Sequence, residues 1–332
     1  MTTFTALRIH QVEKATQARF DTITVDDLSA GEVVIRVAYS SLNYKDALAV
    51  TGKGRIMRGY PKVAGIDLSG HVESSSDPQF KPGDAVLVTG CNIGEALDGG
   101  LAEFARVAAA SVVPLPKGLS LSEAMALGTA GFTAAMALRR MLENHQAPEM
   151  GPIAVTGPTG GVGSIAIDLF KRQGFEIAAI TGKMSAEAYL REIGADQVVD
   201  RNTLDFGSKP LETARWGGAV DNLGGDTLTY LTRTVKPWGN IASIGLAQAP
   251  TLNTTVIPFI LRGVSLLGIH SVEVPQAWRL DLWDKLANEW KPRGLEAIAP
   301  RVISLEEVPA VCDEMVAGKA QGRTIVRIGG KH

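Results

Sequence analysis

Apolar positions change their rhythm along this chain near residue 122. Before it they fall in short clusters separated by turn residues. Glu32–Tyr39, EVVIRVAY, reads as a strand, and so does Val63–Val72, which carries Gly65 and Gly70. Lys81-Pro82-Gly83-Asp84 is a turn signal before the strand Ala85–Thr89, and Leu101–Val107 and Ser111–Leu115 are further short strands. This spacing predicts a compact β-rich domain. From Ser122 the period becomes helical. Residues 124–142, AMALGTAGFTAAMALRRML, carry apolar side chains at helix spacing, with a break near Gly128-Thr129.

Strand and helix then alternate to about Ile269. The predicted strands are Ile153–Val155, Phe175–Ile180, Gln197–Val199, Ala219–Leu223, Trp238–Ile244 and Val264–Ile269. The helices between them include Val162–Phe170, Ala186–Ile193 and Leu228–Val235. Six strands with crossover helices predict a parallel sheet of the dinucleotide-binding kind. The tail holds a helical segment Ala277–Glu289, a strand near Val302–Ser304, a helix over 306–317 and a strand Thr324–Ile328. It is expected to return to the first domain.

The first strand of the alternating region ends in a glycine-rich turn with Gly157, Gly160, Gly161 and Gly163, followed directly by a helix. Glycines let the backbone approach a pyrophosphate, and the helix start presents free N–H groups and a positive dipole end. The spacing is G-x-x-G-x-x-G rather than G-x-G-x-x-G, so the strand-turn-helix context carries the reading. A Walker A loop is excluded, because no lysine precedes Ser164. The next strand ends in Thr181-Gly182-Lys183, with no Asp or Glu to accept from a ribose 2′-hydroxyl. Lys183 can pair with a 2′-phosphate, and Arg191 and Arg201 are nearby cations in sequence. The missing acid and present base together favour NADPH over NADH, although a solvated surface lysine would look the same.

Composition narrows the class without naming chemistry. The 332 residues suffice for two domains, with 45% hydrophobic and 20% charged residues, as in a soluble globular protein. A net charge of −2 offers no footprint for nucleic acid. Two cysteines, Cys91 and Cys312, make a disulfide framework improbable and suit a reducing cytoplasm. No secretory leader and no membrane-spanning run is expected. The histidines at 10, 71, 145, 270 and 332 form no metal-ligand pair, so no zinc site is expected.

Several segments carry a family resemblance: Ser40–Leu48 (SSLNYKDAL), Gly65–Gly70 (GIDLSG), Gly128–Thr133 (GTAGFT), Thr156–Ser164, residues 258–271 (PFILRGVSLLGIHS) and residues 318–326 (GKAQGRTIV). The chain resembles, nearly end to end, the medium-chain dehydrogenase/reductase superfamily in its zinc-free quinone oxidoreductase branch. More closely it is similar to the YhdH/AcuI group of NADPH-dependent acryloyl-CoA reductases. The resemblance implies an α/β chain with a GroES-like β-rich catalytic domain over 1–123, completed by 270–332. A Rossmann doubly wound parallel sheet domain for NADPH would occupy 124–269. Hydride would pass to the β-carbon of an α,β-unsaturated thioester, leaving enolate charge that needs a hydrogen-bond donor and then a proton.

By the same resemblance, Asn43 and Tyr44 lie by the nicotinamide. Tyr44 is the leading donor, since a phenol stays protonated at neutral pH; a pocket-shaping aromatic is the bland alternative. Lys45 or Asp46 could tune it, and Asp67 is as readily structural as catalytic. Gly160, Gly161, Val162, Gly163 and Ser164 match the pyrophosphate turn. Thr181, Gly182, Lys183, Ser185 and Arg201 match the adenosine phosphate end. Leu246, Ile260 and Ser271 match segments on the nicotinamide side, where plain core packing would also explain the first two. Lys183 stands where close relatives use Arg, and lysine lacks the planar fork. The apolar last strand, Val264–Ile269, suggests a sheet edge and hence a homodimer. The expected partner is a small acyl-CoA or enone; a general quinone or enone reductase, or a non-catalytic NADPH-binding structural or RNA-associated protein, are the alternatives.

Overall fold

The computed structural model describes residues 2–329. In chain order the elements are β1 (Phe4–Val12), β2 (Ala15–Ile23), β3 (Val33–Leu42), α1 (Tyr44–Val50), β4 (Lys62–Val63), β5 (Asp67–Ser75), β6 (Ala85–Thr89), β7 (Phe104–Val107), β8 (Val113–Pro114) and α2 (Leu121–Glu143). The alternating region comprises β9 (Ile153–Thr156), α3 (Gly161–Arg172), β10 (Ile177–Thr181), α4 (Glu187–Glu192), β11 (Gln197–Asp200), β12 (Gly218–Asp221), α5 (Gly225–Thr234), β13 (Asn240–Ser243), α6 (Ile257–Arg262) and β14 (Ser265–Gly268). The tail adds α7 (Gln276–Ala287), α8 (Leu295–Ile298), β15 (Arg301–Ser304), α9 (Val308–Val316) and β16 (Thr324–Arg327). Two units emerge. One holds the described residues up to Thr129, Val272–Asn288 and those from Ala299 on; the other holds Ala130–Ser271 and Glu289–Ile298.

The first unit is built on a seven-stranded sheet in the order β15-β16-β3-β5-β6-β8, with β7 also paired to β3, and on a three-stranded sheet β2-β1-β4. Its core joins Leu7, Ile35, Val37, Leu68 and Val88 to Val308, Val311 and Cys312 of α9. The tail strand β16 runs antiparallel to β3, with Ile325 opposite Ser41 and Thr324 opposite Leu42. That pairing carries residue 323 to the mouth of the loop that opens α1. The hairpin β1–β2 has little sequence signal, because β2 is largely exposed and its composition is polar. The expected strand 63–72 is interrupted: Gly65 has φ +98, and a Cβ there would lie 2.8 Å from Leu101 N.

The second unit is a six-stranded parallel sheet in the order β11-β10-β9-β12-β13-β14. Numbered within the unit this is 3-2-1-4-5-6, the doubly wound order, whose reversal falls beside its first strand. β9 is buried at every position, as a central parallel strand covered on both faces must be. The fold class anticipated above, α/β with a GroES-like and a Rossmann part, is the one observed.

α2 corrects one expectation. It has 23 residues and a window of mean hydropathy 1.2, so by length and composition it could cross a membrane; 78% of that window is buried within the protein. It is a core helix, broken at Gly128 (φ 51, ψ −155). Neither α6 nor α8 was anticipated: both are short, at 6 and 4 residues, too brief for periodicity to mark.

Candidate active site

In the second unit, β9 runs into Gly157 at φ +57 and the chain turns sharply into α3. A side chain at Gly163 would collide with the backbone of Gly157 and with Pro158 Cα at 2.8 Å, so only glycine lets the helix start this close. No side chain caps the N-terminus of α3 at Gly160. The first N–H groups, from Gly161, Val162 and Gly163, are therefore left for an anion. Ser164 is buried; its hydroxyl donates to Pro158 O at 3.0 Å and accepts from Tyr189 Oη at 2.9 Å. It braces the turn from beneath. Tyr189, whose hydroxyl pKa burial raises, is a site residue that sequence reasoning missed.

The tips of β9 and β12 are cross-linked where the strand order reverses. Thr156 Oγ1 donates to Asp221 Oδ1 at 2.7 Å, Asn222 Nδ2 donates to Thr156 O at 2.8 Å, and Gly224 N donates to Asp221 Oδ2 at 2.8 Å. Burial raises the Asp221 pKa against those bonds. This is the crevice where such sheets bind ligands.

The tip of β10 brings together Thr181, Gly182, Lys183 and Arg201, the residues expected at the adenosine phosphate end. Thr181 Oγ1 accepts from Lys183 N at 3.0 Å. A Cβ on Gly182 would sit 3.1 Å from Arg201 Nη2, so the guanidinium lies over the bare glycine. Lys183 and Ser185 are exposed beside it. Arg191 is directed elsewhere, to Glu187 at 2.8 Å and to Asp196 O. Leu246 and Ile260 are exposed, at 65% and 70%, so plain core packing does not explain them. Ser271 is partly buried.

In the first unit the structure assembles a buried polar network beneath Tyr44. Asn43 caps α1, donating from its backbone N to Asp46 Oδ2 at 2.8 Å. Its side-chain nitrogen donates to Asp46 Oδ2 at 3.1 Å and Asp67 Oδ2 at 2.7 Å, and its Oδ1 accepts from Arg323 Nη1 at 3.1 Å. Asp67 also accepts from Ser41 Oγ at 2.7 Å and from Thr129 N and Oγ1 at 3.0 and 2.5 Å. Arg323, 2% exposed, donates further to Leu42 O at 2.8 Å, Ser41 Oγ at 2.7 Å and Ala126 O at 3.2 Å. Gly128 closes the network: a Cβ there would lie 2.5 Å from Asp67 Oδ2 and 2.7 Å from Arg323 Nη2. Every polar atom of the Asn43 side chain is thus committed within the protein. Tyr44, 47% exposed at the first position of α1, is the member of the pair that faces outward.

Two buried carboxylates, Asp46 and Asp67, meet at the Asn43 side chain, and Asp67 lies 3.7 Å from the Arg323 guanidinium. Burial, then the negative charge of Asp67, pushes the Asp46 pKa up to about 7, against hydrogen bonds from Asn43 and Ile66 that favour its charged form. Burial lowers the Arg323 pKa, and Asp67 and Asp46 oppose that. Lys45 pairs with Glu95 at 2.7 Å and is occupied there. Ser41, Thr129 and Arg323 escaped sequence reasoning as individuals, yet each lies in or beside a segment that carried the family resemblance.

This two-part fold, with a glycine turn at the reversal point of a doubly wound sheet, defines a dehydrogenase/reductase. Residues 29–117 match the Alcohol dehydrogenase GroES-like domain family and residues 161–288 match the Zinc-binding dehydrogenase family. The chain belongs to the medium-chain dehydrogenase/reductase superfamily. Within it, the chain is 43% identical over 328 residues to acrylyl-CoA reductase AcuI of Ruegeria pomeroyi, spanning 98% of this chain and 99% of that protein. The Salmonella enterica yhdH oxidoreductase, crystallised with NADP, superposes with a TM-score of 0.95 at 41% identity, over 98% of this chain and 100% of that one. Bacillus subtilis yhfP, crystallised with NAD, gives 0.95 at 43% identity, over 98% and 100%. The same Bacillus protein is provisionally named a quinone oxidoreductase.

The zinc that one family description names does not fit the residues present. Among the described residues no three His, Cys, Asp or Glu side chains gather to hold a metal; His332 lies outside them. Asp67 already accepts from Ser41, Asn43 and Thr129.

Asp46 gives a pH signature. Its folded pKa of about 7 lies above the ordinary value of 3.8, so between those values the folded protein binds more protons than the unfolded chain. Stability contributed by this group therefore falls as pH rises from about 4 to about 7 and then levels. Asp46→Asn should flatten that part of the profile of thermal midpoint against pH; an unchanged slope would assign the titration elsewhere.

Proposed function

We propose that this chain is an NADPH-dependent reductase of the C=C bond of an α,β-unsaturated acyl-CoA, with acryloyl-CoA to propanoyl-CoA as the first reaction to test. The observation that carries this is a phenol presented outward on a buried network, with no metal-holding donor set among the described residues. The similarity to AcuI supports the acyl-CoA substrate, and the NADP in the yhdH crystal supports the cofactor. The free thiols of Cys91 and Cys312 suit a reducing cytoplasm.

Bound NADPH supplies the hydride that the β-carbon accepts. Electron density then collects on the thioester oxygen, and a donor aimed at that oxygen lowers the barrier. Tyr44 is our candidate donor to the oxygen or to the α-carbon. Asn43, Asp67 and Arg323 act through it by fixing the start of α1. In the second unit, the backbone N–H groups of Gly161, Val162 and Gly163 would hold the pyrophosphate, with Gly160 and Ser164 shaping the turn. Lys183 and Arg201 would hold the 2′-phosphate, with Thr181, Gly182 and Ser185 shaping that end. Leu246, Ile260 and Ser271 are assigned to the nicotinamide side. The test is NADPH oxidation with acryloyl-CoA, crotonoyl-CoA and a small quinone. The highest kcat/KM should fall on acryloyl-CoA; a quinone that wins would support the second reading, a zinc-free quinone or enone reductase, for which the Bacillus relative speaks.

Tyr44→Phe keeps the ring and removes the hydroxyl. Single-turnover reduction of acryloyl-CoA should slow by about 10²-fold, the usual range for such a group, with cofactor affinity little changed. A rate within about threefold of wild type would make Tyr44 a pocket wall.

Lys183→Ala should raise the KM for NADPH by about tenfold and leave that for NADH nearly unchanged, because only one cofactor carries the 2′-phosphate. Equal losses with both would remove Lys183 from phosphate binding.

We also propose a homodimer through β14. It is the last strand of its sheet, with Leu266 exposed at 36%, and an unpaired edge invites a two-fold partner. Light scattering at micromolar concentration should return the mass of two chains; one chain would reject the dimer.

A further inference from the structure

Residues 47–66, from within α1 to the residue before β5, contain no acid and four cations, Lys53, Arg55, Arg58 and Lys62. The chain as a whole carries −2, so this stretch departs locally from its balance. Lys62 is taken by Asp98 at 3.1 Å. Lys53, Arg55 and Arg58 are exposed, and among the described residues none of the three lies within ion-pair distance of a carboxylate.

Their loop is held in place. Gly54 N donates to Leu48 O of α1 at 3.2 Å, and Arg58 N donates to Glu95 O at 2.9 Å. A Cβ on Gly52 would come within 2.8 Å of Thr16 Oγ1, so the loop backbone packs closely on β2. Glu95, the acid that anchors Arg58 through its backbone, spends its carboxylate on Lys45 at 2.7 Å, one residue from Tyr44. The loop is thus a fixed cationic surface whose one neighbouring acid in these contacts is already neutralised. α1 has 7 residues, so the loop begins about 10 Å along the helix from Tyr44.

We propose that Lys53, Arg55 and Arg58 bind the phosphate groups of the CoA moiety, its 3′-phosphate and pyrophosphate, while the acyl end reaches Tyr44. This rests on the acyl-CoA reading above. The pantetheine arm is longer than the separation along α1, so one molecule can occupy both places. A single exposed cation contributes little in water. Three with no acid between them add their fields toward a multiply charged ligand, and the two guanidinium forks match phosphate oxygens.

The test compares acryloyl-CoA with acryloyl-N-acetylcysteamine, which has the reacting end and no phosphate. In the variant Lys53→Gln/Arg55→Gln/Arg58→Gln, the ratio of kcat/KM for the CoA ester to that for the truncated ester should fall about tenfold or more. The inhibition constant of free CoA should rise similarly, and the KM for NADPH should hold. In the wild type the same ratio should fall with added KCl, a measurement that needs no variant. A ratio and CoA inhibition within about twofold of wild type would overturn the loop as the phosphate site while leaving the acyl-CoA reading intact. A parallel rise in the NADPH KM would reassign the cations to the cofactor. Wild-type protein that reduces neither ester would defeat the acyl-CoA reading and this inference with it.

Discussion

The site in the first unit depends on one arrangement, the buried contact of Asp67 with Asn43, Ser41, Thr129 and Arg323. Burying a carboxylate is costly unless donors surround it. Here a cationic guanidinium 3.7 Å away and several direct donors supply that compensation. The same bonds aim the cap of α1. Because the carboxamide of Asn43 is used at every polar atom, the first turn of α1 has little freedom to rotate. Tyr44 inherits that fixed direction. Preorganisation of this kind is what a donor to a developing oxyanion requires.

The second unit solves a different problem with backbone alone. The feature we propose for the pyrophosphate is an uncapped helix start, brought close by a glycine at which any side chain would collide. Ser164 and Tyr189 support the turn from below. Thr156 and Asp221 tie the two strand tips that flank the reversal in strand order. At the neighbouring strand tip, a bare Gly182 leaves room for the Arg201 guanidinium. The proposed cofactor end is thereby electrostatic and open, whereas the Tyr44 end is rigid and buried behind the tyrosine. A reductase needs both: a cofactor that can be exchanged and a donor that does not move.

Much of this was legible in the chain. Alternating strands and helices, the glycine turn and the absence of an acid after the second strand all stand in local sequence. Periodicity and turn chemistry are local properties, so they survive without the fold. The hairpin β1–β2 left almost no mark, because an exposed strand need not be apolar. Gly65 split a predicted strand because a backbone contact with Leu101 forbids a side chain there. Residues 318–326 were recognisable as a segment, but nothing local says that Arg323 reaches Asp67.

The sequence by itself determined the class of fold and the glycine turn between β9 and α3, and it made Lys183 and Arg201 candidates for a cationic end. These follow from the order of residue types within a few turns of chain. Tertiary structure alone decided that the Asn43 side chain is spent on Asp46, Asp67 and Arg323, that Asp67 lies against a buried arginine, and that α2 is a core helix. Each of those outcomes depends on residues far apart in sequence. β3, β5, the break in α2 and β16 bring residues 41, 67, 129 and 323 to one point, and only burial at that point sets their charges and bonds.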